Sequence, residues 1–168
     1  MLFRSGWANG AENPSGLYKS NLKSKITLKV NGKEIESPKI IRGYASIQRL
    51  WKKGDTVELE LPMVPRRIHA HPEVHADHGK VALQSGPLVY CFEEMDNSDI
   101  SSLILGADAS LRLDYQSGLF GGVNLIKGRA FSRQQAGPAK EVEFTAIPFF
   151  CQDNREGGGT IEVWLPEK

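Results

Sequence analysis

Apolar residues along this chain recur at every second position, not every third or fourth. Ile26-Thr27-Leu28-Lys29-Val30 alternates apolar and polar side chains, and so does Thr56-Val57-Glu58-Leu59-Glu60-Leu61. A period of two sends successive side chains to opposite faces, so each segment predicts a strand with one covered face and one face in water. Glu58 and Glu60 then share the solvent face. Asn31-Gly32 is a strong hairpin signal, with Lys33 to Glu36 pairing back. Tyr44 to Leu50 alternates as well, and Lys52-Lys53-Gly54-Asp55 joins it to the Thr56 run, which predicts four half-buried strands in a meander.

Gly79 to Glu94 has another texture. Val81, Leu83, Leu88, Val89, Tyr90 and Phe92 form two nearly continuous apolar runs, broken by Ser85-Gly86-Pro87. Pro87 has no N–H for a ladder and Gly86 reaches backbone conformations closed to other residues, so two buried strands meeting at a corner are predicted. Ser101 to Leu105, Leu111 to Tyr115, Val123 to Lys127, Val142 to Phe150 and Thr160 to Leu165 read as further strands. Gly118, Gly121-Gly122, Gly137-Pro138 and Gly157-Gly158-Gly159 supply turns, and Met1 to Ser20 is turn-rich. No stretch sustains a helical period. The expected fold is all-β, sandwich or jelly-roll-like, in two consecutive antiparallel units. Pro62 and Pro65 bracket the link, so residues 1–65 read as the end portion of a first sandwich and 66–168 as a second one.

Charge narrows the function classes. Twenty-one Lys and Arg against twenty Asp and Glu leave a net charge of +1 with both signs mixed, which argues against nucleic acid and anionic membranes as partners. No apolar run approaches the roughly 20 residues that cross a bilayer, and the first residues lack the pattern of a signal peptide. The compartment stays open. Cys91 and Cys151 lack metal-knuckle spacing, and each lies in an apolar run where a small buried hydrophobe is the simplest reading.

Three constellations carry candidate chemistry. Every histidine falls within His69-Ala-His71-Pro-Glu73-Val-His75-Ala-Asp77-His78, where alternate positions of a strand share a face and could meet a metal such as Zn²⁺. Pro72 interrupts that register, and a solvated connecting segment explains the same residues. Retaining glycosidases need two acidic groups, or equivalents, about 5 Å apart. Glu93 and Glu94 are strand neighbours that point to opposite faces, so only one could face a cleft. Trp7, Trp51 and Trp164, with Tyr18, Tyr44 and Phe149, could stack on sugar rings, although most aromatics in β domains pack inward. Arg49, Arg66, Arg67 and Arg155 suit carboxylate partners between elements. Trp51, Arg49, Glu93 and Arg155 are thus the candidate carbohydrate or domain-interface contacts.

The wording of several blocks resembles one known family. Val81-Ala82-Leu83-Gln84-Ser85-Gly86-Pro87-Leu88-Val89-Tyr90-Cys91-Phe92-Glu93-Glu94 is similar to a segment of glycoside hydrolase family 127, the β-L-arabinofuranosidase-like proteins. Val30-Asn31-Gly32, Gly43-Tyr44-Ala45, Ile47 to Asp55 and Leu61-Pro62-Met63 resemble an earlier run of that family. Phe144 to Phe150, Asn154-Arg155 and Val163-Trp164-Leu165 resemble its ending. Phe3-Arg4-Ser5-Gly6-Trp7 departs from the family's Arg-Ile-Pro-x-Trp strand by lacking the proline. The resemblance implies the last part of an enzyme whose activity resides in an upstream (α/α) barrel with a cysteine nucleophile, a bound zinc and a glutamate acid/base. Those motifs do not occur in this sequence, so catalytic residues and cofactors are expected to be none in this chain.

The reading is therefore a non-catalytic accessory β region that supports the barrel, with a wall of the cleft for plant-type glycan as a further candidate role. Two alternatives stay open: an autonomous carbohydrate-binding module, and a metal-binding domain at the histidine segment. The second unit is expected to be the stable one, with the first leaning on it or on a copy in a homo-oligomer.

Overall fold

The computed structural model describes residues 2–4, 16–20, 25–41 and 44–168. The turns read in residues 5–15, and Trp7 among them, lie outside the described residues. Sixteen strands and three short 3-10 turns make up the described chain, with no α-helix among the described residues.

The first region forms two three-stranded sheets. One has the order β1 (Leu2–Arg4), β6 (Tyr44–Ser46), β5 (Lys39–Ile41), and the other β4 (Lys33–Glu34), β3 (Thr27–Val30), β7 (Val57–Glu60). The Asn31-Gly32 hairpin forms as its sequence predicts: both residues have positive φ, 51° and 75°, and Val30 pairs with Lys33 across the two-residue loop. Leu28 and Val30 point inward, while Glu58 and Glu60 stay in water. The meander does not form. β7 leaves β6 and pairs with β3 along Thr27–Val30, and only Tyr44–Ser46 of the Tyr44–Leu50 run is extended. β6 has no free edge for β7, since β1 and β5 pair with it on either side; the start of β7 is instead fastened to the β3 turn, where Asn31 Nδ2 donates to Asp55 at 2.8 Å and its Oδ1 accepts from the Thr56 N–H at 2.8 Å.

A large curled antiparallel sheet holds the rest. Its order is β11 (Leu103–Ile104), β13 (Val123–Ser132), β14 (Lys140–Pro148), β10 (Leu88–Glu93), β9 (Lys80–Ser85), β8 (Pro65–Ala70), β2 (Tyr18–Lys19), and β12 (Leu111–Gln116), β15 (Ile161–Glu162) and β16 (Leu165–Pro166) flank β13, β10 and β9. The Ser85-Gly86-Pro87 corner is a tight hairpin, with Gly86 at φ 57° and Ser85 opposite Leu88. After Val89 the strand changes partner: Tyr90, Cys91 and Phe92 pair with β14. That exchange folds one sheet into two facing layers.

Between the layers lie Val81 and Leu83 from β9, Tyr90 and Phe92 from β10, Ile126 and Ala130 from β13, Phe144 and Ala146 from β14, and Leu165 from β16. Each large side chain buried here contributes about 1.5–3 kcal/mol. Gly128 is required, since a Cβ there would sit 2.7 Å from the Ser110 carbonyl and 2.9 Å from the Phe144 ring. The outer face of the same strands is also covered. Cys91, Val123, Leu125, Ile147 and Cys151 pack beneath Leu119, Ile161 and Val163. Burial on both faces is why Tyr90, Cys91 and Phe92 are apolar in succession and do not alternate, while Val89, before the change of partner, stays exposed.

The sheet closes on itself through the last residues. β16 pairs with β9 on one side, and on the other the Leu105 N–H donates to the Pro166 carbonyl at 2.8 Å while Lys168 N–H donates to Leu105. Leu105 and Glu167 form a parallel bridge. Three expected strands are shorter than their apolar runs. Ile100–Ser102 curls into a 3-10 turn because the Ser101 and Ser102 hydroxyls bond to Asp99. Phe149–Cys151 does so after Pro148, and the Thr160–Leu165 run divides into β15 and β16.

Candidate functional site

A buried group of charges lies at the end of β10. Continuation of the strand turns Glu93 inward and Glu94 outward, as alternate directions demand. Glu93 is only 5% exposed. Its Oε2 accepts from Arg155 Nη2 and its Oε1 from the Asp153 N–H at 2.7 Å. Arg155 also grips Asp96 with two bonds, at 3.0 and 2.5 Å. The adjacent Asp96 and Glu93 carboxylates push the Arg155 guanidinium pKa further up. Asn97 completes the corner, with its amide donating to the Glu93 and Thr145 carbonyls and its Oδ1 accepting from the Thr145 N–H at 2.9 Å. Outside, Glu94 receives the Thr160 N–H at 2.9 Å, and this bonding holds its carboxyl below the usual range. The adjoining cavity measures about 10 Å³, room for a water and for no sugar ring. Glu93 and Arg155, two of the sequence candidates, are thus brought together as a lock between β10 and the Gln152–Thr160 loop.

A second cluster gathers where β8 meets the closing residues. Arg67 Nε donates to Glu167 at 3.1 Å, and its Nη2 donates to the Gly106 and Ala109 carbonyls at 2.7 and 2.9 Å. His69 Nε2 lies 2.7 Å from the other Glu167 oxygen. An open groove of about 650 Å³ runs beside them, lined by Pro65, Arg67, His69, Leu111 and Glu167 among others. The remaining histidines do not join His69. His71 Nδ1 accepts from the Glu73 N–H at 3.3 Å, His75 opens an exposed 3-10 turn, and His78 is exposed after it. Among the described residues no three His, Cys, Asp or Glu side chains gather as a metal site.

Arg49 and Trp51 also meet. The guanidinium sits 5.2 Å over the indole and 3.5 Å from Asp55, and Trp51 remains 41% exposed. Trp164 instead stacks on Tyr18, ring centres 5.6 Å apart, tying the first region to the closing strands. Arg66 is buried and donates to the Gly86 carbonyl at 3.1 Å. Burial pushes the Cys91 thiol up to about 12, with Glu93 adding to the shift, and raises Cys151 as well.

Sequence reasoning named the arginines without their partners. Asp96, Asn97 and Glu167 were missed altogether. Asp96 and Asn97 left one signal, an acidic and amide pair directly after a buried strand; Glu167 left none, because its partners lie about a hundred residues away.

Comparison with known proteins gives this geometry a family. Residues 65–166 match the glycoside hydrolase family 127 C-terminal domain, and residues 4–63 match the β-L-arabinofuranosidase GH127 middle domain. A non-reducing end β-L-arabinofuranosidase of Bifidobacterium longum subsp. longum is 35% identical over 112 residues, 62% of this chain and 16% of the relative. A solved GH127 β-arabinofuranosidase superposes with a TM-score of 0.91 at 39% identity, covering 100% of this chain and 27% of its own. A GH127 β-L-arabinofuranosidase from Geobacillus stearothermophilus T6 gives 0.80 at 39% identity, over 86% of this chain and 25% of its own. The chain therefore spans about a quarter of the solved relatives it matches. With both domains matched in order, the chain belongs to glycoside hydrolase family 127, of which it carries the middle and C-terminal domains.

Proposed function

We propose that this chain is a non-catalytic supporting region of a β-L-arabinofuranosidase-like glycoside hydrolase, working beside a catalytic barrel of the same polypeptide that acts on plant-type glycan. What carries this reading is the commitment of the groups that could do sugar chemistry. Glu93 is buried under Arg155 and Asp153, and Cys91 is buried with its thiol held protonated at neutral pH. Glu93 borders a cavity of about 10 Å³, too small for a sugar ring, and Cys91 is fully buried. The role of such a region is mechanical: it offers a preformed surface on which a larger domain rests. Leu17, Ile41, Tyr44, Leu50, Trp51, Met63 and Val64 are exposed apolar side chains of the first region and suit that contact. Any zinc of the whole enzyme belongs, on this reading, to the barrel.

Assay of the purified chain on nitrophenyl arabinofuranosides tests it. No turnover above buffer is expected; zinc-dependent turnover lost in Cys91→Ser or Cys151→Ser would overturn the reading. The 41% exposure of Trp51 supports a second reading, a glycan-binding face. Micromolar glycan affinity abolished by Trp51→Ala in a folded chain would favour it over the first.

A further inference from the structure

Asn31-Gly32 has a chemical liability as well as a turn geometry. In an Asn-Gly pair the glycine nitrogen meets little steric hindrance when it attacks the side-chain amide of the preceding residue. The Gly32 N–H loses its proton to solvent base, and the nitrogen bonds to Asn31 Cγ. The bond from Cγ to the amide nitrogen breaks, ammonia leaves, and a cyclic succinimide remains. Water then opens either ring C–N bond to leave aspartate or isoaspartate. Solvent supplies every reactant, and both residues are exposed, with nothing within 4 Å of the place where a Gly32 side chain would begin.

The fold opposes this step at one point. For ring closure the Asn31 amide must swing toward its own following peptide, yet both of its polar atoms are held elsewhere. Nδ2 donates to Asp55 Oδ1 at 2.8 Å, and Oδ1 accepts from the Thr56 N–H at 2.8 Å. Asp55 is itself fixed by the Lys52 N–H at 2.8 Å, and the Asn31 N–H donates to the Thr56 carbonyl at 3.0 Å. Hydrogen bonds from Asn31 and Lys52 hold the Asp55 carboxyl below its ordinary range, so it is ionised at neutral pH. We propose that Asn31 is a latent deamidation site, blocked while Asp55 and Thr56 grip its amide and opened when β7 separates from β3. The product cannot restore the grip, because a carboxylate would face Asp55 where an amide donor had been. Opening of this turn is thereby converted from a reversible event into a permanent one.

The test incubates the full chain at mildly alkaline pH and scores aspartate and isoaspartate at position 31 by peptide mapping. The comparisons are the same chain in urea and a synthetic peptide of residues 26–36. Conversion in the folded chain is expected to be slower by about tenfold or more, since only opened molecules react. Asp55→Ala should recover most of the peptide's rate, and Asp55→Asn, which keeps an acceptor for Nδ2, should stay slow. Equal rates in buffer and in urea overturn the proposal whether or not any variant folds. A folded Asp55→Ala chain as slow as the parent overturns it too. Asn31→Asp should speed hydrogen exchange at the β3 and β7 amides, and unchanged exchange there would refute the permanence of the opening.

Discussion

The regions on either side of Met63 bury themselves in different ways. In the first, strands of two to four residues form two small sheets, and among the described residues only Leu28, Val30 and Ala45 are buried apolar side chains. In the second, β13 and β14 run for ten and nine residues and are covered on both faces along Val123 to Ile126 and Phe144 to Pro148. The first is held largely by polar contacts at exposed turns, Asn31 with Asp55 and Arg49 with Trp51; the second by an apolar core with two largely buried ion clusters, Arg155 with Glu93 and Asp96, and Arg67 with Glu167. The contrast teaches that a sheet can have correct pairing and register and still lack the apolar burial that offsets chain entropy.

The largest blow to the second region should come from Arg155→Leu. It leaves Glu93 buried without its cation, and a broken buried pair costs about 3–5 kcal/mol, read as a lowered melting temperature. A neutral outcome would mean that the cluster adds nothing to that region's stability. Next, Leu83→Ala and Leu28→Ala remove the same atoms from the two cores, at about 2–5 kcal/mol by chemistry alone. The Leu83 change should lower hydrogen-exchange protection throughout β9, β10, β13 and β14. The Leu28 change should loosen β3, β4 and β7 and leave β13 and β14 protected; a global loss from Leu28→Ala would show that the two regions unfold as one. Under limited proteolysis, cleavage is expected first between Met1 and Lys25 or between Pro65 and Gly79, with a resistant fragment ending near Lys168. A resistant fragment from the other half would reverse the comparison.

Thiol labelling sharpens it further. With the Cys91 thiol pushed up to about 12 and both cysteines buried, a disulfide reagent at neutral pH should label neither until the second region unfolds. Labelling at the rate at which the first region opens would contradict its looser standing. The smallest effect is acid loosening of the β3 turn. Asp55 titrates below its ordinary value of 3.8 in the folded chain, so the unfolded chain binds the proton more tightly. Its stabilisation is full above 3.8 and is lost as pH falls through the folded value; exchange at the Thr56 and Asn31 amides, followed by NMR, should quicken in that window.

What could be read from the sequence was local. The Asn31-Gly32 hairpin, the Gly86-Pro87 turn and the solvent face of Glu58 and Glu60 depend on neighbouring residues and on strand period. β7 pairs with β3 because β1 and β5 occupy both edges of β6, a non-local outcome that alternation cannot show; Asn31, which signals the turn, gives no sign that its amide also fastens β7. Glu93 and Arg155 were named separately, but their union is an event of the folded sheet, where β15 brings the Gln152–Thr160 loop beside β10. The spread of His71, His75 and His78 away from His69 follows from Pro72 and the 3-10 turn, which end the alternation on which a shared metal face would depend.

The closure by residues 165–168 also has a kinetic side. While the polypeptide is being made, β9, β10, β13 and β14 can all emerge and pair before the segment that occupies the remaining edge of β9 and the Leu105 backbone exists. During that interval both edges carry unpaired N–H and C=O groups beside a nearly formed apolar core, a template for another nascent chain. Slow translation over the Gly157-Gly158-Gly159 stretch would lengthen the exposure. The waiting edge is thus a point at which nascent copies can associate before the finished structure exists.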